Sequence, residues 1–335
     1  MDTITHIVLG ACIAEAIAGK QLGKKVLLIG ALAQNIPDID FVASSWLPTA
    51  SDLLAHRGFT HSFLFLALVA PPLAWLSRRL FPNGLSYRKW LFFWAVQIFI
   101  HDFIDAFNVY GTGWFEPFSH YRVCFNSMFV ADPLFSIWPA IALLMLAVLK
   151  GRNRARKTLA LTALSLSCAY LLLGLVFKST INETVANNLA DQHTAYKRYF
   201  TTPTPLNNLL WYVVAENDAG YFIGYRSIFD NSEKIKFHYV ARNSGLLAPY
   251  QTRKDVDDLI RFSQGYYTTD LRHDTLTFND LRFGEIAGWP EPGPSFVFHY
   301  YVQYPDDNKM IVQRGRFAKW DRSVFKAFVK TILNN

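Results

Sequence analysis

The side chains best suited to chemistry in this chain fall in four short groups, all in its first third. Asp2 and His6 are four apart in Asp2-Thr-Ile-Thr-His6. Asp38 and Asp40 follow Pro37 in Asn35-Ile-Pro-Asp-Ile-Asp40. His56 and His61 stand in His56-Arg-Gly-Phe-Thr-His-Ser62, and His101, Asp102 and Asp105 in His101-Asp-Phe-Ile-Asp105. Neutral imidazole and carboxylate oxygens are the ligands that hold zinc and similar divalent ions, and catalytic sites of that kind keep a position for water. His101 and Asp105 are one helical turn apart, so both side chains can point at one ion. Asp38 and Asp40 can face the same side, or one of them can orient a ligand from behind. Cys12, Cys124 and Cys168 have no metal-type spacing, which disfavours both a disulfide framework and a cysteine-closed structural zinc site.

Each group also has a plainer reading. Polar residues at helix ends cap them, and Asp is a favoured turn residue after Pro37. His56 is open to two roles, as a ligand of a second ion or as proton donor to a leaving group. Arg57 suits a phosphate oxygen, which a guanidinium grips with two hydrogen bonds, and equally a lipid headgroup. Arg122 carries the same ambiguity, and His120 reads as a polar loop residue. Asp132 before Pro133 reads as an N-cap with proline at the first helical position. Glu15 and Gln97, polar within apolar runs, read as interhelical contacts. His193, His238, His273 and His299 lack carboxylate spacing and read as ordinary histidines.

The elements that must position these groups are apolar. The chain of 335 residues is 51% hydrophobic and 18% charged, against about 25% charged in ordinary soluble domains. Six apolar segments are legible, at 4–19, 25–36, 62–76, 90–107, 133–149 and 159–177. The first two are short, the third contains Pro71-Pro72 and is expected to bend or end early, and the last three approach the roughly 20 residues of a membrane span. The loops between them alternate in charge. Lys20, Lys24 and Lys25 fall in the first, Arg78, Arg79, Arg88 and Lys89 in the third, and Lys150, Arg152, Arg154, Arg156 and Lys157 in the fifth, whereas the second and fourth hold only Arg57 and Arg122. By the positive-inside rule the basic loops are cytoplasmic, which puts all four His/Asp groups, and everything after residue 177, on the opposite side. The net charge of +7 is thereby explained by membrane topology rather than by nucleic acid. The N-terminus opens on Asp2, not on a basic run, and is not expected to be a cleavable signal peptide.

Residues 179–335 read as a soluble domain. A polar, helical stretch at 182–199 precedes strand-like runs at 208–215, 221–229, 275–283, 295–304 and 310–320. Residues 215–220 read as a hairpin turn, and 256–263 and 323–333 as amphipathic helices. The expected architecture is an α-helical polytopic membrane domain of about four to six short helices (1–178), followed by a soluble α+β domain (179–335).

The chain resembles the YdjM-type family of inner-membrane proteins regarded as metal-dependent hydrolases. The stretches 2–6, 35–40, 56–62, 101–105, Tyr110-Gly-Thr112, Pro117-Phe-Ser119 and Asp132-Pro133 carry the resemblance, which continues through Thr202-Pro-Thr-Pro205 and Trp211. The His-Arg-Gly-x-Thr-His-Ser stretch is its most specific part. More distantly, the order His, Asp, His, then His-x3-Asp is similar to that of zinc-dependent phospholipases C and single-strand nucleases, without a counterpart of their later His-and-Glu group. The resemblance implies His6, Asp40, His61, His101 and Asp105 as metal ligands, with Asp38 and His56 as further candidates.

The sequence therefore leads to a multi-pass inner-membrane hydrolase with a divalent metal, Zn2+ first among candidates and one to three ions in number. It would act at the extracytoplasmic face on a phosphoester such as a lipid or lipid-linked substrate, with His56 and Arg57 as catalytic groups and membrane lipids as its surroundings. The rival reading is a non-enzymatic scaffold or envelope regulator stabilised by the metal. Ion transport is disfavoured, because transport places ionisable residues near mid-span and here they gather at one end. Oligomeric state is left open.

Overall fold

The structure is a computed structural model and describes residues 1–151, 153–230, 234–272, 274–289, 295–310 and 320–333. The chain divides into two compact units. One comprises Met1–Val42, Ala55–Gly174 and Pro205–Asn207, the other Ala43–Leu54, Leu175–Thr204 and Asn208–Asn335.

The first unit is a helical bundle. Helix α1 (Thr3–Leu22) starts at Asp2, whose side chain accepts from the Thr5 N–H at 3.0 Å. It ends at Gly23, whose φ of 61° closes the helix with an N–H bond to the Gly19 carbonyl at 2.9 Å. Helix α2 (Lys25–Gln34) returns against it. Contact is close because Gly10 and Gly30 face each other: a Cβ on Gly10 would lie 2.3 Å from the Gly30 carbonyl oxygen, and one on Gly30 2.2 Å from that of Gly10. The chain leaves this unit for α3 (Thr49–Ala55), all but the last residue of which belongs to the second, and returns to it for α4 (Phe63–Leu80), capped by Ser62, and α5 (Tyr87–Asp105), capped by Ser86. Helix α6 (Pro133–Val148) has Asp132 as its N-cap, as its sequence suggests, and α7 (Ala155–Asp191) follows, its residues from Leu175 onward belonging to the second unit. The core is made of Ala11, Ala14, Ala18, Ala33, Ala70 and Ala74 with the large rings of Trp90, Phe93 and Trp94.

Three expectations about these segments change. The first segment is not short: α1 runs through Lys20 and Gln21 to its glycine cap and is long enough to cross a membrane. The third does not end at Pro71-Pro72 but continues to Leu80. Each proline removes a helical N–H bond, but Ala70 and Ala74 are locked in the core and the Trp94 indole donates to Ser77 Oγ at 2.9 Å, which holds the last turns. The fourth, α5, carries Arg88, Lys89, Asp102 and Asp105 near its ends and is not among the helices apolar enough to span. Among the described residues three helices meet that standard, α1, α4 and α7, or four if α2 and the 3-10 helix Pro37–Ser45, bent by 58°, count as one broken span. Leu68, Trp75 and Leu76 of α4 and Leu161, Leu172 and Val176 of α7 are exposed, an outward apolar surface suited to lipid.

The second unit carries two antiparallel sheets. Strands β1 (Arg198–Pro203), β2 (Leu210–Glu216), β3 (Gly220–Ser227) and β4 (His238–Ala241) form one in that order. After α8 (Lys254–Phe262), strands β5 (Tyr267–Arg272), β6 (Thr275–Glu285) and β7 (Phe296–Tyr301) form the other, and α9 (Arg322–Leu333) ends the described chain. Strand β2 is buried throughout, with its alternate residues on two faces. Trp211, Val213 and Ala215 pack on Ile181, Val185 and Leu189 of α7. Tyr212 and Val214 pack with Leu281 and Phe296 of the second sheet.

The expected hairpin joins β2 to β3, with Asn217 Oδ1 accepting from the N–H groups of Ala219 (3.0 Å) and Gly220 (2.7 Å). The polar stretch 182–199 is not one helix: α7 ends at Asp191 and β1 begins at Arg198. Strands β1, β4 and β5 lack clear alternation in the sequence and become strands by pairing with neighbours. Most of the run at 310–320, and His273, lie outside the described residues.

Candidate metal centre

The last turn of α5 brings His101 and Asp105 to the end of the bundle where α2 gives way to the 3-10 helix Pro37–Ser45, which carries Asp38 and Asp40. The short turn Phe59–His61 supplies His61 just before the Ser62 cap of α4. Asp40 ties these loops together. Its carboxylate accepts from the backbone N–H of Arg57 at 2.8 Å and from Thr60 Oγ1 at 3.1 Å, and it meets His56 Nδ1 at 3.0 Å. Arg57 has a φ of 59°, a left-handed conformation costly for a side-chain-bearing residue, and is held there by bonds to Asp40 and from the Gly113 N–H.

Asp38, His61, His101 and Asp105 then each offer one ligand atom, all within 4.8 Å of one another. The Nε2 atoms of His61 and His101 are 3.0 Å apart. Asp38 Oδ1 lies 3.5 Å from both, and Asp105 Oδ2 lies 3.6 Å and 3.8 Å from them. The hydrogen-bond network assigns the tautomers. His101 Nδ1 donates to the Gln34 carbonyl at 2.5 Å, one of the carbonyls the end of α2 leaves unpaired, and His61 Nδ1 meets Thr60 Oγ1 at 3.1 Å and Asp40 Oδ2 at 3.4 Å. Both Nε2 atoms thus present lone pairs to each other and to two carboxylate oxygens. Burial pushes the His61 imidazole down to about 3 in spite of its contact with Asp38. Four electron-pair donors facing one point, with no proton between them, fit a cation.

The match to known proteins covers this site. A family model described as YdjM inner membrane protein matches residues 1–181. The chain belongs to the YdjM inner membrane protein family. Inner membrane protein YbcI of Escherichia coli (strain K12) is 31% identical over 121 residues, 36% of this chain and 69% of that protein. Uncharacterized protein YfhP of Bacillus subtilis (strain 168) is 30% identical over 148 residues, 41% of this chain and 43% of that protein. No solved structure matches. The family match includes all four His/Asp groups and stops short of Thr202-Pro-Thr-Pro205 and Trp211. The more distant likeness to phospholipases C and nucleases is not shown by these comparisons.

The remaining candidate residues of this family member surround the four. His6 stacks on His101 with ring centroids 3.7 Å apart, and its Nε2 lies 3.2 Å from Asp105 Oδ1, which the Met1 amine also contacts. Asp40 stands behind His61 rather than beside the four donors. His56 rests on Asp40, with its side chain 39% exposed. Arg57 turns inward: it is buried, pairs with Asp105 Oδ2 at 2.9 Å, donates to Asn108 Oδ1 at 2.8 Å and to the Met1 carbonyl at 3.2 Å, and lies over the Tyr110 ring. Arg122 also serves the loops, donating to the His56 carbonyl at 2.7 Å. His120 pairs with Glu116 at 2.8 Å on the surface.

Two residues escape the sequence reading. The Gln34 backbone carbonyl has no signal beyond its place at a helix end. Asp102, grouped with His101 and Asp105 but given no role, is fully buried with neither carboxylate oxygen hydrogen-bonded. Its signal is the i, i+3 spacing to Asp105.

Proposed function

We propose that this family member is a membrane-bound, metal-dependent hydrolase that cleaves a phosphoester, such as a lipid or lipid-linked headgroup, at the extracytoplasmic face. The observation that carries the proposal is the 3.0 Å approach of the His61 and His101 Nε2 lone pairs, flanked by Asp38 and Asp105. A divalent ion such as Zn2+, when bound, supplies Lewis acidity toward water and an ester oxygen. The chain's own groups do the rest. Asp40, through Thr60, and the Gln34 carbonyl hold the two imidazoles in the tautomer that offers Nε2. Arg57 pairs with Asp105 and holds its carboxylate in place, a positioning role rather than a grip on substrate phosphate. His56, whose Nδ1 rests on Asp40 and whose ring is partly exposed, can pass a proton from Nε2 to a leaving oxygen.

The extracytoplasmic placement rests on the three basic loops, which lie at the helix ends away from the cluster. A reporter fused after Phe177 is expected to read as extracytoplasmic, and a cytoplasmic signal would reverse the assignment.

A second reading has its own support. Three of the four donors are fully buried and only Asp38 is partly open, at 24%, as in a closed site that stabilises the end of the bundle. Metal analysis of the purified protein beside a His101→Ala/Asp105→Ala variant, with a panel of phosphoesters, separates the readings. Stoichiometric metal with turnover supports the hydrolase, metal without turnover the structural site, and no metal in either protein removes both.

A further inference from the structure

The opposite end of the bundle holds a second feature, unrelated to the His/Asp cluster. A cavity of about 690 Å³ opens between the end of α1 and the start of α7, lined by Glu15, Gly19, Lys20, Asn153, Arg154, Arg156 and Lys157 among others. Its floor is a buried ion pair: Arg156 Nε donates to Glu15 Oε1 at 2.9 Å and Nη2 to Oε2 at 2.6 Å, while Nη1 donates to the Leu146 carbonyl at 2.5 Å. Gly19 leaves room for it, since a Cβ there would lie 2.3 Å from Glu15 Oε1.

The basic residues at this end fall into two kinds. Arg156 is neutralised by Glu15, and Lys24 closes the end of α6 by donating to the Ala147 carbonyl at 2.6 Å. Lys20, Arg154 and Lys157 are exposed at the cavity, and among the described residues of its lining the neutralised Glu15 is the only acidic group. With the floor neutral, the described lining of the cavity keeps the charge of three cations. Its volume is that of a small-molecule site, and a basic pocket among membrane helices is suited to a phosphate-bearing headgroup.

We propose that this cavity binds a phosphate-bearing anion, with Lys20, Arg154 and Lys157 as the groups that hold it; the membrane source of that chemistry is the headgroup of an anionic phospholipid and the soluble source a small phosphate ester. The site lies at the basic end of the bundle, away from the proposed hydrolase centre, and does not depend on that centre binding metal.

The test uses the full chain in a neutral detergent. Phosphatidylglycerol is titrated and bound lipid counted by native mass spectrometry, and sn-glycerol 3-phosphate is titrated in a parallel arm. The triple variant Lys20→Gln/Arg154→Gln/Lys157→Gln is compared with Arg78→Gln/Arg88→Gln/Lys89→Gln, which removes as many charges from the same end but none from the cavity lining. The cavity variant is expected to bind roughly 100-fold more weakly, about fivefold for each charge at an anionic surface, and the control to bind as the wild type does. Loss in the lipid arm assigns the headgroup, and equal loss in both arms assigns the phosphate alone. Lysine 157 reversed in Lys157→Glu provides a minimal change with the same direction. Unchanged binding in the cavity variants, or an equal loss in the control, would overturn the proposal.

Discussion

His61 and His101 meet Nε2 to Nε2 at 3.0 Å, although the Nδ1 of each is already engaged, by Thr60 Oγ1 and by the Gln34 carbonyl. Two acceptor lone pairs at that distance repel unless a positive charge lies between them. Adding Zn2+ to chelator-treated protein should therefore raise its unfolding midpoint. At a free concentration of about 100 Kd the gain is roughly 2.7 kcal/mol, which corresponds to about 5–10 °C for a unit of this size. Thermal unfolding of His61→Ala should show no such rise, and an equal rise in both proteins would mean the ion binds elsewhere.

Asp40 and His56 are predicted to separate affinity from turnover. Asp40→Asn weakens the support behind His61 and should lower metal affinity about 10–100-fold. His56→Gln should keep the metal and lose turnover by about 10²–10⁴. Paired metal-binding isotherms and rates test the division, and metal loss in His56→Gln would place His56 among the ligands.

The buried Glu15–Arg156 pair is expected to matter more when half of it is removed than when all of it is. Arg156→Met leaves a buried carboxylate unpaired, at a cost of about 3–5 kcal/mol. The double variant Glu15→Leu/Arg156→Met should recover much of that loss. Denaturation in detergent reads the difference, and additive losses would show that the two groups do not act as a pair.

Gly10 and Gly30 set the spacing of α1 and α2. Gly30→Ala brings a methyl within 2.2 Å of the Gly10 carbonyl oxygen, so the helices must part. The expected loss is about 1–3 kcal/mol, as for overpacking elsewhere, seen as a lower unfolding midpoint. Gly23→Ala meets no atom within 4 Å, but it puts a side chain at φ 61° and ψ −149°, a glycine region that costs about 1–3 kcal/mol through backbone strain alone.

Glu216 gives the second unit an acid-side dependence. Burial alone would raise its carboxyl, but hydrogen bonds from Arg242 and Arg198 outweigh it and hold the group below the usual range. A depressed carboxylate stabilises the fold above its unfolded value near 4.3 and loses that contribution as pH falls through the folded value. Glu216→Gln should therefore be less stable than the wild type at neutral pH, with the gap narrowing as the solution is acidified below about 4. A gap that widens on acidification would contradict the assignment.

Much of the first unit was legible in the sequence, for a physical reason. Hydrocarbon tolerates few charges, so apolar runs and basic loops mark helices and their ends, and a His and an Asp one turn apart can only share a face. Asp132 as an N-cap and Glu15 as an interhelical partner followed from equally local rules. Helix ends set by packing did not: α4 passes through Pro71-Pro72 because Ala70, Ala74 and Ser77 are held by neighbours in the core. In the second unit the runs rich in aromatic and β-branched residues were legible, while β1, β4 and β5 carry little local signal and become strands by pairing with the adjacent β2, β3 and β6.

At the site, residue type determined which groups could bind a metal, and helix order determined that they would gather at one end. Only the tertiary structure decided their ranks. It set Asp38 beside His61, His101 and Asp105, placed Asp40 behind them as support, turned Arg57 inward onto Asp105, and recruited a backbone carbonyl that no side-chain pattern can announce. The physical reason is scale: spacing along a chain fixes a side chain's direction to within a helical face, whereas ligation and hydrogen bonding are decided within an ångström, by the packing of elements that the sequence lists far apart.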